Sequence, residues 1–307
     1  MKWFGGRADP GASRDPELPL SVAQAQLLRR LVRDAWARLG REVVVHSDHV
    51  VDADGGVFGL WNLAVLVGDE PRRRWPRLVG EHVRRLAAPT PSVDELSEAQ
   101  LRDQVVLRVV DGTSLPDASW FPSAPTLAGD LRQVLVVDLP DSVMTPPESY
   151  LAARGELDEL RAAGRANLWY MMRSEPRALE TVGADDGQFH VLLGDSVYTA
   201  SMAVFLPELV SMVGQADLGR GILVALPHRH QVAFRVVDGP GAVVAIQNLC
   251  WFAMAGYNQG AGAVSPHVFW VKDGHWEQLT AFDEDQPQAV HVVVGPELAT
   301  ALGLPEV

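Results

Sequence analysis

The sequence predicts an α+β fold, with mixed or antiparallel sheets, hairpins interspersed with helices, and two unequal lobes. Two observations lead there. Runs rich in β-branched residues come in neighbouring pairs split by short turns, Asp54-Gly55-Gly56 and Asp273-Gly274, as hairpins require. Between them lie segments whose apolar residues recur at helical spacing, without the strict strand–helix alternation of a doubly wound parallel sheet. A chain of 307 residues is long enough for two lobes, expected over 20–90 and 91–307 with the joint at Pro89 and Pro91.

Residues 1–19 carry Gly, Pro, Asp and Arg without periodicity and read as a flexible tail. Ser21 and Gln24 make a capping box, and Leu28, Leu31, Val32, Ala35, Trp36 and Leu39 share one face of a helix that Gly40 ends. Glu42 to Asp52 and Val57 to Leu60 form a hairpin. Trp61-Asn62-Leu63-Ala64 extends the second strand or opens a short helix. A helix follows Pro71 on the face of Trp75, Leu78, Val79, Val83 and Leu86. Arg72-Arg73-Arg74 sits at its start, where the helix dipole disfavours cations, and reads as a solvated face.

Past the joint, Ser92 and Glu95 suggest a second capping box, before a short helix ending near Gln104. Val105 to Val110 and Gln133 to Leu139 are strands on either side of a Pro- and Ser-rich loop. Leu157, Leu160, Gly164, Leu168 and Met171 mark a helix. Phe189 to Leu193 is a strand, and Tyr198 to Met212 is helical with an interruption at Pro207. Ile222 to Leu226 and Gln231 to Val237 are strands separated by Pro227-His228-Arg229-His230. Ala242 to Ala255 is apolar nearly all round, so it reads as a central core helix. Val268 to Lys272 pairs with His275 to Leu279, Ala289 to Val294 is a strand, and Pro296 to Leu302 closes the described order as a helix.

Hydrophobic residues make up 47% and charged residues 21%, with nine Trp, which is core-forming composition. The 26 basic residues face 39 acidic ones, a formal net charge of −13. A field of that sign repels phosphate backbones and attracts a basic partner, so a protein partner is expected and nucleic acid is not. Lys2 and Lys272 are the only lysines; the arginine bias suggests a high-GC bacterial coding sequence. The single cysteine, Cys250, lies in an apolar run and reads as an inert buried thiol. Neither an apolar leader nor a stretch long enough to span a bilayer is found, so a cytoplasmic location without a membrane partner is expected.

Several short segments occur in a telling order: Gly59 to Leu63, Val105 to Val110, Val134 to Pro140, Ala166-Asn167-Leu168, Tyr198-Thr199-Ala200-Ser201, Leu223 to Arg229 and Ser265 to Phe269. Over roughly residues 40–280 the chain resembles the bacterial family typified by YtpQ, a family of unassigned activity. The resemblance implies no catalytic residue. It implies an acid after the Pro-x-Arg stretch, where this sequence has His230.

Chemistry-bearing patterns are sparse. His228 and His230 are two apart at a strand edge, where an extended backbone puts both imidazoles on one face, with His190, Asp195 or His267 as a third ligand if a metal is held. His46 and His49 are three apart in a strand and so point to opposite faces. Gly194-Asp195-Ser196 lacks the glycine that a nucleophile elbow needs two residues after its serine; Tyr198 stands there. The glycines of Gly256 to Gly262 follow a helix instead of preceding one, so they do not form a phosphate loop, and Tyr257, Asn258 and Gln259 offer a contact surface. No carboxylate pair has acid/base spacing.

The function expected is therefore a non-enzymatic binding or accessory protein acting through an acidic surface. One narrower form is an immunity-type protein that neutralises a basic toxin. The alternative is an enzyme of unrecognised class, with a site where Pro227 to His230, Asp195 and the Tyr257 to Gly262 loop converge. The candidate binding surface is Asp195, His228, Arg229, His230, Tyr257, Asn258 and Gln259, with no cofactor expected.

Overall fold

The computed structural model describes residues 13–53, 57–68, 70–87, 95–115, 117–139, 142–215, 217–283 and 290–304. The chain divides into two compact units, Met1–Pro91 and Ser92–Val307. Its helices and antiparallel sheets make it an α+β protein, as the sequence predicts.

In the first unit, α1 (Val22–Arg38) starts at the Ser21–Gln24 capping box, which is formed in both directions. Strands β1 (Val43–Val45), β2 (His49–Asp52) and β3 (Val57–Gly59) form an antiparallel sheet, followed by α2 (Trp61–Gly68) and α3 (Trp75–Ala87). Residues 61–64 thus open a helix and do not extend a strand. Trp36 and Trp75 anchor a core shared by the three helices.

Two expectations fail here. The run from Glu42 to Asp52 is not one strand: Ser47 and Asp48 turn it back on itself, with the His46 N–H donating to the His49 carbonyl at 2.8 Å. The two imidazoles meet across that turn, stacked at 4.4 Å and 15°. The turn at residues 54–56 lies outside the described residues.

The tail is the second correction. Residues 1–12 lie outside the described residues, but Leu18 is 2% exposed and belongs to the core. Both Asp15 oxygens accept from the Arg29 guanidinium at 2.9 Å, and the Val22 N–H donates to the Ser13 carbonyl. Arg29 holds the Asp15 carboxyl below its ordinary value. Segment 13–19 has few apolar residues, but one of them, Leu18, is buried in the core with α1.

The second unit opens with α4 (Glu98–Gln104). Its cap is Ser97 with Gln100, not Ser92 with Glu95, and Ser92 lies outside the described residues. Then β4 (Val105–Asp111), β5 (Leu131–Leu139) and β6 (Ser142–Met144) form a three-stranded antiparallel sheet, with α5 (Glu148–Ala152) and α6 (Leu157–Ser174) after it. Gly164 lets α6 approach closely: a Cβ there would lie 2.9 Å from Leu135 Cδ2 and 3.0 Å from the Leu107 nitrogen.

Next come β7 (Arg177–Val182), β8 (Phe189–Gly194), α7 (Leu206–Met212), β9 (Ile222–Ala225) and β10 (Gln231–Val236). They are followed by α8 (Ala242–Gln259), β11 (Val268–Lys272), β12 (His275–Gln278), β13 (Thr280–Phe282), β14 (Val290–Val292) and α9 (Pro296–Leu302). A six-stranded antiparallel sheet runs in the order β12-β11-β9-β10-β8-β7. The β11–β12 hairpin turns at Asp273 and Gly274, whose φ values of +50° and +79° give the tight turn that such a dipeptide favours.

Both faces of this sheet are buried, because alternate side chains along each strand enter different cores. Phe189, Val191, Leu223, Ala233 and Trp270 pack with α8 and α9. Leu192, Val224, Val232, Phe234 and Phe269 pack in the core of β4, β5 and α6. Helix α8 corrects a third expectation: it is not apolar on all sides of its packing. Leu249 is fully buried, but Trp251 is 72% exposed, so the helix covers one sheet face and shows its back to solvent. Among the described residues no helix is long and apolar enough to cross a membrane.

Candidate functional site

The turn between β9 and β10 holds His228, Arg229 and His230, three of the predicted residues. Three hydrogen bonds tie it to the chain after α8. The Arg229 N–H donates to the Gly262 carbonyl at 2.9 Å, the Val264 N–H to the Pro227 carbonyl at 3.0 Å, and the Ser265 N–H to the Leu226 carbonyl at 2.9 Å. His228 also bridges Ala263. The glycines before this strand-like run, which the sequence excludes as a phosphate loop, are clearance sites. A Cβ at Gly256 would meet Pro227 and Gln231, one at Gly260 the His228 ring, and one at Gly262 the Arg229 stem.

On its other side the turn meets the segment after β8. The Gly194 N–H donates to the His230 carbonyl at 3.1 Å and the Ala200 N–H to the Arg229 carbonyl at 3.0 Å. The neighbouring Ser201 Oγ accepts from the Val109 N–H of β4 at 2.9 Å. Tyr198 Oη donates to Asp138 Oδ1 of β5 at 2.9 Å. The 198–201 segment therefore pins the β9–β10 turn to the small sheet.

The histidine pair does not have the geometry expected of it. His228 and His230 lie in the turn and not on an extended strand, with their rings 6.1 Å apart and inclined at 57°. His228 Nδ1 accepts from the His230 backbone N–H at 3.3 Å, and His230 Nε2 accepts from Arg229 Nε at 2.9 Å. Each ring therefore already uses its unprotonated nitrogen, which is the one a metal would need. Burial, then His230, then Arg229 push the His228 imidazole down to about 4, and burial followed by Arg229 lowers His230. Both are neutral at pH 7.

Two of the three proposed third ligands are engaged elsewhere: His190 Nδ1 pairs with Thr181 Oγ1 at 3.1 Å and His267 Nδ1 with Thr280 Oγ1 at 3.0 Å. Among the described residues no group of three His, Cys, Asp or Glu is placed to hold a metal ion.

Of the other predicted residues, Asp195 acts electrostatically on His230. Tyr257 is partly buried, its phenol raised first by burial and then by Asp111. Asn258 is exposed and donates back to the Met254 carbonyl, outside the junction. The Gln259 side chain lies outside the described residues. Cys250 is buried, its thiol pushed up to about 11 by burial.

Sequence reasoning missed Arg108, Asp138, Tyr198 and Ser201. Arg108 and Asp138 are lone charges inside apolar strand runs, on the same face of the β4–β5 pair by their register. A charge at an inward position of a buried strand is the signal that would have found them.

A separate cavity of ≈ 200 Å³ lies between α5, α6 and the β4–β5 pair, walled by Leu107, Leu135, Leu151 and Leu157. Its polar corner is closed internally: Glu148 accepts from the Ser123 N–H and Oγ, and from Arg161.

The second unit is thus an α+β sandwich whose sheet is buried on both faces, with a polar junction between its layers. No protein-family model, no curated protein and no solved structure matches the chain.

Proposed function

We propose that the chain is a non-enzymatic binding protein that recognises a basic partner through the acidic exterior of its second unit. The observation that carries this reading is how charge is divided. Met1–Pro91 has 14 basic and 11 acidic residues, whereas Ser92–Val307 has 12 basic and 28 acidic, net +3 and −16. The acidic balance of the whole chain therefore belongs to the second unit alone. Glu98, Asp103, Glu156, Asp158 and Glu159 are all exposed there. A field concentrated in this way speeds association with a cationic partner. A toxin-neutralising protein is the narrow form of the same reading.

The state of the junction supports binding over catalysis. Both histidines use their acceptor nitrogens internally, and the Tyr198 phenol is pushed upward by burial and by Asp138. Membership of the YtpQ-typified family belongs to this proposal as well. Its support is that Val105 to Val110, Val134 to Leu139, Tyr198 to Ser201 and Leu223 to Arg229 meet at one place.

The test is affinity capture at low and high salt, with wild type beside a variant carrying Glu98→Lys, Asp103→Lys, Asp158→Lys and Glu159→Lys. Wild type should retain a basic polypeptide that salt releases and the variant does not hold. Equal capture by both, or a captured partner that is not basic, would overturn the reading.

A further inference from the structure

Arg108 and Arg229 are brought together by the dipeptide Ala200–Ser201. The Ser201 hydroxyl holds the N–H of Val109, next to Arg108, and the Ala200 N–H holds the carbonyl of Arg229. Both side chains are partly buried, and both remain reachable from solvent. Among the described residues the Arg108 guanidinium has no hydrogen bond and no ion pair. Among the described residues the Arg229 guanidinium gives only its Nε, to His230, and its stem is packed on Gly262.

This arrangement is costly in itself. Burial depresses both guanidinium groups, and the charge of Arg108 lowers Arg229 further. Two like charges near one another, partly removed from water and without a counter-ion, are destabilising unless something compensates them. The unit is not short of counter-ions, since it has 28 acidic residues for 12 basic ones. Two carboxylates of the junction are used otherwise: Asp138 accepts from Tyr198, and Asp195 acts on His230.

We infer that Arg108 and Arg229 form a receptor for an oxyanion, the phosphoryl or carboxylate end of a small molecule, where β4 meets the β9–β10 turn. The guanidinium fork presents paired N–H donors to two oxygens of such a group, and two forks, one from a strand and one from a turn, fix its orientation. His228 adds a neutral donor. Its Nδ1 accepts from the His230 N–H, so its proton resides on Nε2. The glycines at 260 and 262 keep the approach of the chain to this turn free of side chains. This site is independent of the basic-partner reading, and the failure of one leaves the other standing.

The experiment uses the full chain at fixed ionic strength, titrated with inorganic phosphate and in parallel with acetate. Thermal midpoints and calorimetric binding are followed for wild type, Arg108→Met, Arg229→Met and the exposed control Arg102→Met. At least one anion should bind wild type and the control saturably and raise their midpoints, with at least a tenfold weaker affinity in the two junction variants. Saturation by phosphate alone assigns a phosphoryl group, and by acetate alone a carboxylate. Without any anion, Arg108→Met should melt at or above wild type, because a repelling charge has been removed. The proposal is overturned if neither anion binds wild type, if all four proteins respond alike, or if Arg108→Met melts below wild type in the absence of anion.

Discussion

Gly260 lies so close beneath the His228 ring that a Cβ would sit 2.1 Å from its Cδ2 and 2.3 Å from its Cγ. The ring cannot swing aside cheaply. Its Nδ1 is held by the His230 N–H, and its own backbone bridges Ala263. Gly260→Ala should therefore cost roughly 1–3 kcal/mol, the usual penalty of overpacking. Chemical denaturation would measure it, and a loss below about 0.5 kcal/mol would show that the contact is soft.

Helix α8 offers a paired comparison. Leu249 is fully buried against the six-stranded sheet, and Trp251, two residues on, is 72% exposed. Leu249→Ala should lose roughly 2–5 kcal/mol. Trp251→Ser should stay within about 0.5 kcal/mol of wild type, despite removing the larger side chain. The reverse order in equilibrium unfolding would mean that the exposed face is the packed one.

The segment before α1 is part of the first unit's core. A chain beginning at Leu20 loses Leu18 and the Asp15 carboxylate that holds Arg29 at two points. That truncation should destabilise the first unit by roughly 3 kcal/mol, from one buried leucine and one charged hydrogen-bond pair. An unfolding midpoint shifted by less than about 5 °C would contradict this.

Acidification should weaken the second unit. His228 titrates near 4 when folded, against its ordinary value of 6.5. A histidine with a lowered folded value binds its proton more readily when unfolded. Its contribution is therefore complete above pH 6.5 and is lost as the pH falls toward 4, by roughly 3 kcal/mol in all. His190, His230 and His267 are lowered in the same direction, each first by burial, and so add to the slope. Stability measured across that window should flatten in His228→Asn, whose amide oxygen keeps the acceptor role of Nδ1. An unchanged slope would assign the acid sensitivity elsewhere.

The class of fold was legible because it depends on local signals. The Ser21–Gln24 box, the Asp273–Gly274 turn and the helical spacing around Leu160 and Leu168 each act through near neighbours in the chain. Strand β7 was not legible: it forms a sheet edge, so its side chains alternate only weakly between buried and exposed. The stacking of His46 on His49 was misread because a strand's period fails wherever the strand turns.

What the sequence determined alone was the alternation of hairpins and helices, the acidic balance, and the turn Pro227 to His230 as a place of interest. What only the tertiary structure decided was the company that turn keeps. Arg108 is more than 120 residues from Arg229 in the chain, and nothing local links them. They meet because the two faces of one sheet must each be buried, and covering the second face with β4 and β5 brings a strand's lone charge to the turn. Tertiary packing likewise decided that the glycines from 256 to 262 are clearances and not slack, since only the approach of Pro227, His228 and Arg229 leaves no room for a side chain.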